Sequence, residues 1–498
     1  MLIAHMENLA LLPAAAIAAG TFVSIRMEKL CRPACVGVCR PWPSFALHTG
    51  LLFLLWALAL IFSRRPAFAM LAALTVQFLI IQVNNAKYRA LREPFLFSDF
   101  SIFSQAIRHP RLYLPFLGLG RAALVALAVI AAVVVGWWAE TPLVDFSVWC
   151  VGAALVGALL LAIGWAVAPP PVLDPEKDVA SRGLMVSIAQ YWLREKTTKP
   201  TRRTHLPAIQ KSTSGRPDIV VIQSESFFDA RRIFLGIRKD VLANFDKACS
   251  EAALHGRLSV PAWGANTMRP EFAFLTGLAP ASLGIHRFNP YRCVTRRPLN
   301  ALPAVLREAG YRTTCIHPHP ARFFRRDRAF PNLGFDRFVD LQEFQGAQKA
   351  GPYISDAAVT DKLLLELEAA ENPSFFFVVT MENHGPLHLE SVADEDIRDL
   401  YDEAPPAGCQ DLTVYLRHLR NADRQLGRLR AHLRTRARPT ILCLYGEHLP
   451  SMPKVYHVLG LPDGKTDFFA QVPIPQKSSR RDLEIEDLPV FILQALSP

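Results

Sequence analysis

Asp218-Ile-Val-Val-Ile-Gln-Ser-Glu225-Ser-Phe227 decides the fold class of the soluble part of this chain, because a short apolar run breaks abruptly there into polar residues. The same pattern returns in Thr440-Ile-Leu-Cys-Leu-Tyr-Gly-Glu447-His448-Leu-Pro450, and shorter β-rich runs lie at 257–261, 312–317 and 374–380. Runs of this length, rich in Val, Ile and Phe and without polar alternation, suit strands covered on both faces. Between them lie helical patterns, the longest at 412–436, where Leu416, Leu419, Leu426 and Leu429 recur among basic residues. Strands alternating with helices predict an α/β domain with a mostly parallel central sheet.

Upstream the composition changes. Long apolar runs near 8–25, 44–62, 67–83, 120–138 and 146–168 carry almost no charge. Most approach the ~20 residues that a helix needs to cross a bilayer core, which predicts an N-terminal helical membrane domain of about five spans. The first run lacks a basic start and a small-residue cleavage site, so it reads as a span and not as a signal peptide. Trp137, Trp138, Trp149 and Trp165 near the span ends fit an interfacial belt. The expected organisation is a transmembrane domain at 1–170 with a surface loop at 87–119, a juxtamembrane helix and linker at 171–216, and a soluble domain at 217–498. The loop is too polar to span and too apolar to leave the interface. The juxtamembrane helix is predicted over 181–193, where Leu184, Ile188, Tyr191 and Trp192 share a face.

The net charge of +11 gathers in loops and at 194–211, where it suits anionic lipid head groups. No aromatic residues interleave with that basic stretch, which argues against a nucleic-acid partner. Five of the nine cysteines fall in the soluble part, so at least one there is unpaired. No Cys-x-x-Cys pair suggests structural zinc.

In open α/β sheets, ligands gather at the carboxyl ends of strands. Glu225, His317, His384 and the pair Glu447-His448 each follow an apolar run, so four strands deliver carboxylate or imidazole to one edge. Any one of them alone reads as an ordinary polar residue at a strand end; the set does not. Thr267, in Trp263-Gly-Ala-Asn-Thr267-Met-Arg-Pro, precedes a helix predicted at 270–277. Its hydroxyl can cap that helix, and the helix start can receive an oxyanion. Two carboxylates, one imidazole and one hydroxyl suggest a divalent-metal site around an activated nucleophile. An oxygen-rich set with one imidazole suits Mn²⁺ or Mg²⁺, and coordination would lower the pKa of Thr267 and align it for in-line attack.

Ser224-Glu225-Ser-Phe, Gly264-Ala-Asn-Thr267-Met-Arg-Pro-Glu-Phe, Asn383-His384-Gly-Pro386 and Gly446-Glu447-His448 resemble the motifs of lipoteichoic acid synthases and related phosphoglycerol transferases. These form a sulfatase-like branch of the alkaline phosphatase superfamily. The resemblance covers nearly the whole chain, including Leu91-Arg-Glu-Pro94 in the surface loop. It implies a catalytic threonine, Thr267, and one Mn²⁺ held by Glu225, Thr267, Glu447 and His448. It also implies phosphate and glycerol binding by His317, Arg326 and His384. The implied reaction takes glycerol phosphate from phosphatidylglycerol, through a phospho-threonine, to a glycan or glycerol-phosphate acceptor. The alternatives are phosphoethanolamine transfer with the same metal logic and a non-catalytic glycan-binding relative. Sulfate-ester hydrolysis fits less well, because Thr267-Met-Arg-Pro stands where sulfatases carry a Cys or Ser in C/S-x-P-x-R.

The resemblance is imperfect at one ligand: the family pair is Asp-His, whereas this chain has Glu447-His448. The extra methylene pushes the carboxylate outward by about a bond length, while metal–ligand distances hold to about 0.2 Å. Either the backbone retreats to compensate, or metal affinity is weakened, or activity is lost; compensation is the expectation, since Glu225, Thr267, His384 and His448 are all present. The resemblance also places the soluble domain on the extracytoplasmic side of the cell membrane. The basic loops 26–40 and 87–121 would then share that side, against the positive-inside rule.

Overall fold

The computed structural model describes residues 2–35, 40–100, 119–200, 204, 206–210, 215–295, 297–474 and 476–496. It divides into two units, Met1–Lys199 and Pro200–Pro498.

The first unit is helical: α1 (Leu2–Met27), α2 (Trp42–Ser63), α3 (Pro66–Leu91), α4 (Leu119–Ala139) and α5 (Phe146–Val167). Four helices, Leu11–Leu30, Trp42–Ser63, Pro66–Leu91 and Phe146–Val167, are long and apolar enough to cross a membrane, and α4 is a further apolar helix. Small residues let α2 and α5 approach closely, since a Cβ on Gly50 would lie 2.8 Å from the Gly157 carbonyl oxygen. The third helix runs eight residues past the predicted end at 83, because Asn84, Asn85 and Lys87 find partners there. Asn85 donates to Leu30 O at 2.7 Å, and Lys87 Nζ bonds Glu93 at 2.9 Å and Asp99 at 2.6 Å. The remainder of the predicted surface loop, 101–118, lies outside the described residues. The single juxtamembrane helix predicted over 181–193 is two helices, α6 (Pro175–Arg182) and α7 (Leu184–Thr197). They break at Gly183 (φ +92°), where a Cβ would meet the buried Glu28–Arg40 ion pair.

The second unit is built on a nine-stranded sheet: β1 (Asp218–Ser224), β2 (Leu254–Ser259), β3 (Arg312–Ile316), β4 (Arg337–Val339), β5 (Ser374–Val379), β6 (Thr440–Gly446), β7 (Thr466–Gln471), β8 (Ser479–Arg480) and β9 (Leu483–Glu484). The order is β8-β2-β7-β6-β1-β5-β3-β4, with β9 also on β2. Only β7 runs antiparallel to its neighbours. β2 lies three residues upstream of its predicted start, with Gly256 let in by close contact with the Arg481 carbonyl.

The central strands are buried on both faces, as their unbroken apolar runs required. Val220, Ile222, Phe376, Val378, Leu442 and Leu444 point into one core, closed by α10 (Asp356–Glu368) and the long helix α11 (Gln410–Thr435). The opposite face is covered by α8 (Met268–Thr276), whose Phe274 stacks on Phe377 at 5.7 Å and meets Tyr445 at 4.9 Å. Strand alternation then places Gln223 and Tyr445, and beyond the strand ends Glu225 and Glu447, on the α8 side.

Candidate metal and phosphoryl-transfer site

β1 and β6 are parallel neighbours with Ser224 opposite Gly446, so Glu225 and Glu447 leave the sheet side by side. Gly446 is required there, since a Cβ would fall 1.8 Å from the Phe227 carbonyl oxygen. That close approach folds the Ser226 turn over the end of β6 and brings His448 to Glu225. Ligand atoms of Glu225, Glu447 and His448 all lie within 4.8 Å of one another, and all three residues are buried. His448 Nε2 is 2.9 Å from Glu447 Oε1 and 3.8 Å from Glu225 Oε1. Its Nδ1 donates to the Leu449 carbonyl at 3.0 Å, which turns Nε2 toward the carboxylates. Ser226 Oγ donates to Glu225 Oε1 at 2.7 Å.

Thr267 reaches this cluster from across the sheet edge. It immediately precedes α8, yet its side chain makes no capping bond to that helix. Its Oγ1 donates instead to Glu447 Oε1 at 3.2 Å. The turn that carries it includes Asn266 at φ +70°, a left-handed conformation uncommon for a residue with a side chain and often found at functional sites.

Electrostatically the donor set is short of positive charge. Burial and the neighbouring Glu447 charge push the Glu225 carboxyl well above its ordinary range. Burial also acts to raise Glu447, but the His448 imidazole and the bonds it receives hold it below the usual value. Two buried carboxylates this close cannot both ionise without a proton or a cation between them. Together with the orientation of His448 Nε2, this suits a divalent cation with oxygen preference.

His317 and His384 leave the ends of β3 and β5. His317 Nδ1 donates to the Val379 carbonyl at 3.1 Å, and burial with the Arg326 charge holds the ring well below its usual pKa. His384 is half-buried, with Nδ1 2.6 Å from the Gly385 carbonyl and 3.1 Å from the Tyr353 hydroxyl; burial lowers its pKa. Both rings are therefore neutral near pH 7, each with Nε2 as acceptor. Arg326, at the start of α9 (Arg326–Leu333), is fully buried and spends its fork on Glu271: Nε to Oε1 at 3.0 Å, Nη2 to Oε2 at 2.9 Å.

The structure thus gathers Glu225, Thr267, Glu447 and His448 around one point and puts His317 and His384 at neighbouring strand ends. It commits Arg326 to an acidic partner. Sequence reasoning missed Glu271 and the polar residues beneath the site, Gln223 and Ser226. Gln223 carried a readable signal, being the amide at an inward position of an otherwise apolar run.

The Sulfatase profile matches residues 217–474, and the chain belongs to that family. A putative cyclic β-1,2-glucan modification protein of Rhizobium meliloti (strain 1021) is 32% identical over 252 residues, 51% of this chain and 38% of the relative's own length. The capsular polysaccharide biosynthesis protein RkpI of the same organism is 29% identical over 441 residues, 82% of this chain and 77% of its own. Among solved structures, the integral membrane lipooligosaccharide phosphoethanolamine transferase A of Neisseria meningitidis is 11% identical, covering 96% of this chain and 95% of that one at a TM-score of 0.57. At that identity the likeness is one of fold: apolar N-terminal helices followed by a sulfatase-like α/β domain. This is a membrane protein with a Sulfatase-family domain.

Proposed function

We propose that the chain is a membrane-anchored, Mn²⁺-dependent phosphotransferase that moves glycerol phosphate from phosphatidylglycerol to a glycan or glycerol-phosphate acceptor. The observation that carries the reading is the Thr267 hydroxyl: it is not used to cap its own helix and lies 3.2 Å from a carboxylate in a buried Glu–Glu–His cluster. Glu225, Glu447 and His448 would hold the cation with Thr267, and its charge would lower the hydroxyl pKa and stabilise the developing phosphoryl charge. Thr267 Oγ attacks the phosphodiester phosphorus, the bond to diacylglycerol breaks, and the hydroxyl proton leaves with diacylglycerol. In the second half-reaction an acceptor hydroxyl attacks the threonine phosphoester and Thr267 regains its proton. His384 Nε2, an acceptor while neutral, is suited to receive the incoming hydroxyl's proton. Two relatives named for glycan modification and polysaccharide biosynthesis support a glycan acceptor.

Mass spectrometry after incubation with phosphatidylglycerol and Mn²⁺ is expected to find glycerol phosphate on Thr267. Full transfer activity in Thr267→Ala would overturn the mechanism. Phosphatidylethanolamine supplied alone distinguishes the donor: diacylglycerol release from it, and not from phosphatidylglycerol, would replace glycerol phosphate with ethanolamine phosphate in the same scheme.

A further inference from the structure

We infer that Gln223 and Tyr445 are positioning residues that adapt the metal-binding edge of this protein to a glutamate, instead of an aspartate, at 447. The inference rests on the metal reading above. Gln223 and Tyr445 are register partners on β1 and β6, fully buried on the face covered by α8. Gln223 Nε2 donates to Glu447 Oε2 at 2.7 Å, and Tyr445 OH donates to Gln223 Oε1 at 2.6 Å.

The direction of this chain of bonds follows from what each group can do. An ionised carboxylate only accepts, so the amide must turn its N–H₂ to Glu447. Its carbonyl oxygen then faces Tyr445, and the phenol must donate. A flipped amide would set its oxygen against the carboxylate. With Oε2 held from below, Glu447 has Oε1 turned to His448 Nε2 (2.9 Å) and to Thr267 Oγ1 (3.2 Å). The longer side chain would thus offer a cation Oε1, with Oε2 held by Gln223.

An aspartate at 447 would withdraw the carboxylate by roughly one C–C bond, ~1.5 Å. No hydrogen bond spans the resulting gap to Gln223. A buried amide N–H would be left without a partner, and the remaining oxygens would be free to turn. The departure from Asp-His is therefore one member of a matched set, and restoring the aspartate alone breaks the set.

The test is calorimetric titration of Mn²⁺ into the purified full-length protein, with the melting temperature of each metal-free variant measured in parallel. Outer-shell partners of metal ligands typically carry 10–100-fold in affinity. Gln223→Met, close in size and without donors, is expected to weaken Mn²⁺ binding by about that factor, and Tyr445→Phe by less. Glu447→Asp is expected to weaken binding, not strengthen it. Because Gln223→Met and Glu447→Asp break the same bond, their losses combine to less than their product. A purely structural role would lower the melting temperature and leave the affinity intact. Wild-type affinity in Gln223→Met, multiplicative losses in the double variant, or tighter binding in Glu447→Asp would each overturn the inference. A wild-type protein that binds no divalent cation would instead remove the metal reading itself, and this inference with it.

Discussion

At the scale of single residues, the site is a competition between a proton and a cation. Glu225 is raised by burial and by the Glu447 charge, so without metal it keeps its proton above the ordinary carboxylate range, and a cation must displace that proton to bind. Mn²⁺ affinity is therefore expected to climb as pH rises above the ordinary carboxylate range, with a proton released on binding. Titrations in buffers of different ionisation enthalpy count that proton, and a dissociation constant flat with pH would contradict the assignment. The Glu271–Arg326 pair makes a separate prediction. Both side chains are buried, and the bidentate geometry satisfies the guanidinium edge. Glu271→Ala leaves that charge without its partner, a change expected to cost ~3–5 kcal/mol in chemical denaturation. The residue types at the site were legible in the sequence because metal and phosphoryl chemistry need few kinds of donor. Glu271 and Gln223 were not, because their roles depend on which side chain faces them across the sheet, and residue type does not carry that.

At the scale of elements, the loop bearing His384 is fastened to the long helix α11. His418, on α11, places Nδ1 3.0 Å from Glu382 and Nε2 3.1 Å from Glu390, one carboxylate on either side of His384 in the chain. Asn421 and the Asp356 backbone also donate to Glu382, and Arg417 donates to Glu390. Burial works against the charge on His418, but the two carboxylates outweigh it and raise the imidazole to about 9. The folded value exceeds the unfolded value of about 6.5. The clamp's contribution is thus whole below about 6.5 and is lost as pH rises through about 9. The wild-type melting temperature is expected to fall across that window, and the fall to be blunted in His418→Gln. Strand assignment from the sequence worked where strands are covered on both faces, as in β1, β5 and β6. It slipped by three residues at β2, which is only partly buried, and missed β7, where the buried Asp467 interrupts the apolar run and is paired with Arg232. An ion pair made by a distant residue hides a strand from any local pattern.

At the scale of the whole molecule, the charges of the helical unit bear on the side of the membrane at which the proposed site works. Counted as sequence, the basic loops at 26–40 and 87–121 oppose an extracytoplasmic soluble domain. In the structure two of those charges are matched: Arg40 pairs with Glu28, and Lys87 with Glu93 and Asp99. The other end of the unit is more basic than its α4–α5 loop alone suggests. Arg64 and Arg65, in the α2–α3 turn, lie against that loop through Leu143 N–H to Arg64 O at 2.7 Å and Arg65 Nε to Glu140 O at 2.7 Å. The loop's Glu140 carboxylate is spent on the first amides of α3, Ala67 and Phe68. The loops at 26–40 and 87–121 still carry more positive charge than the Arg64–Arg65 end, so the positive-inside rule continues to oppose the side that the proposed lipid donor requires. The proposed function requires the soluble unit on the extracytoplasmic side. Leu235 in that unit is 92% exposed, whereas the cysteines among the described residues are buried or half-buried. A Leu235→Cys variant in intact spheroplasts is expected to react with a membrane-impermeant maleimide before any detergent is added. Labelling only after the membrane is opened would place the soluble unit, and the proposed lipid chemistry, on the cytoplasmic side.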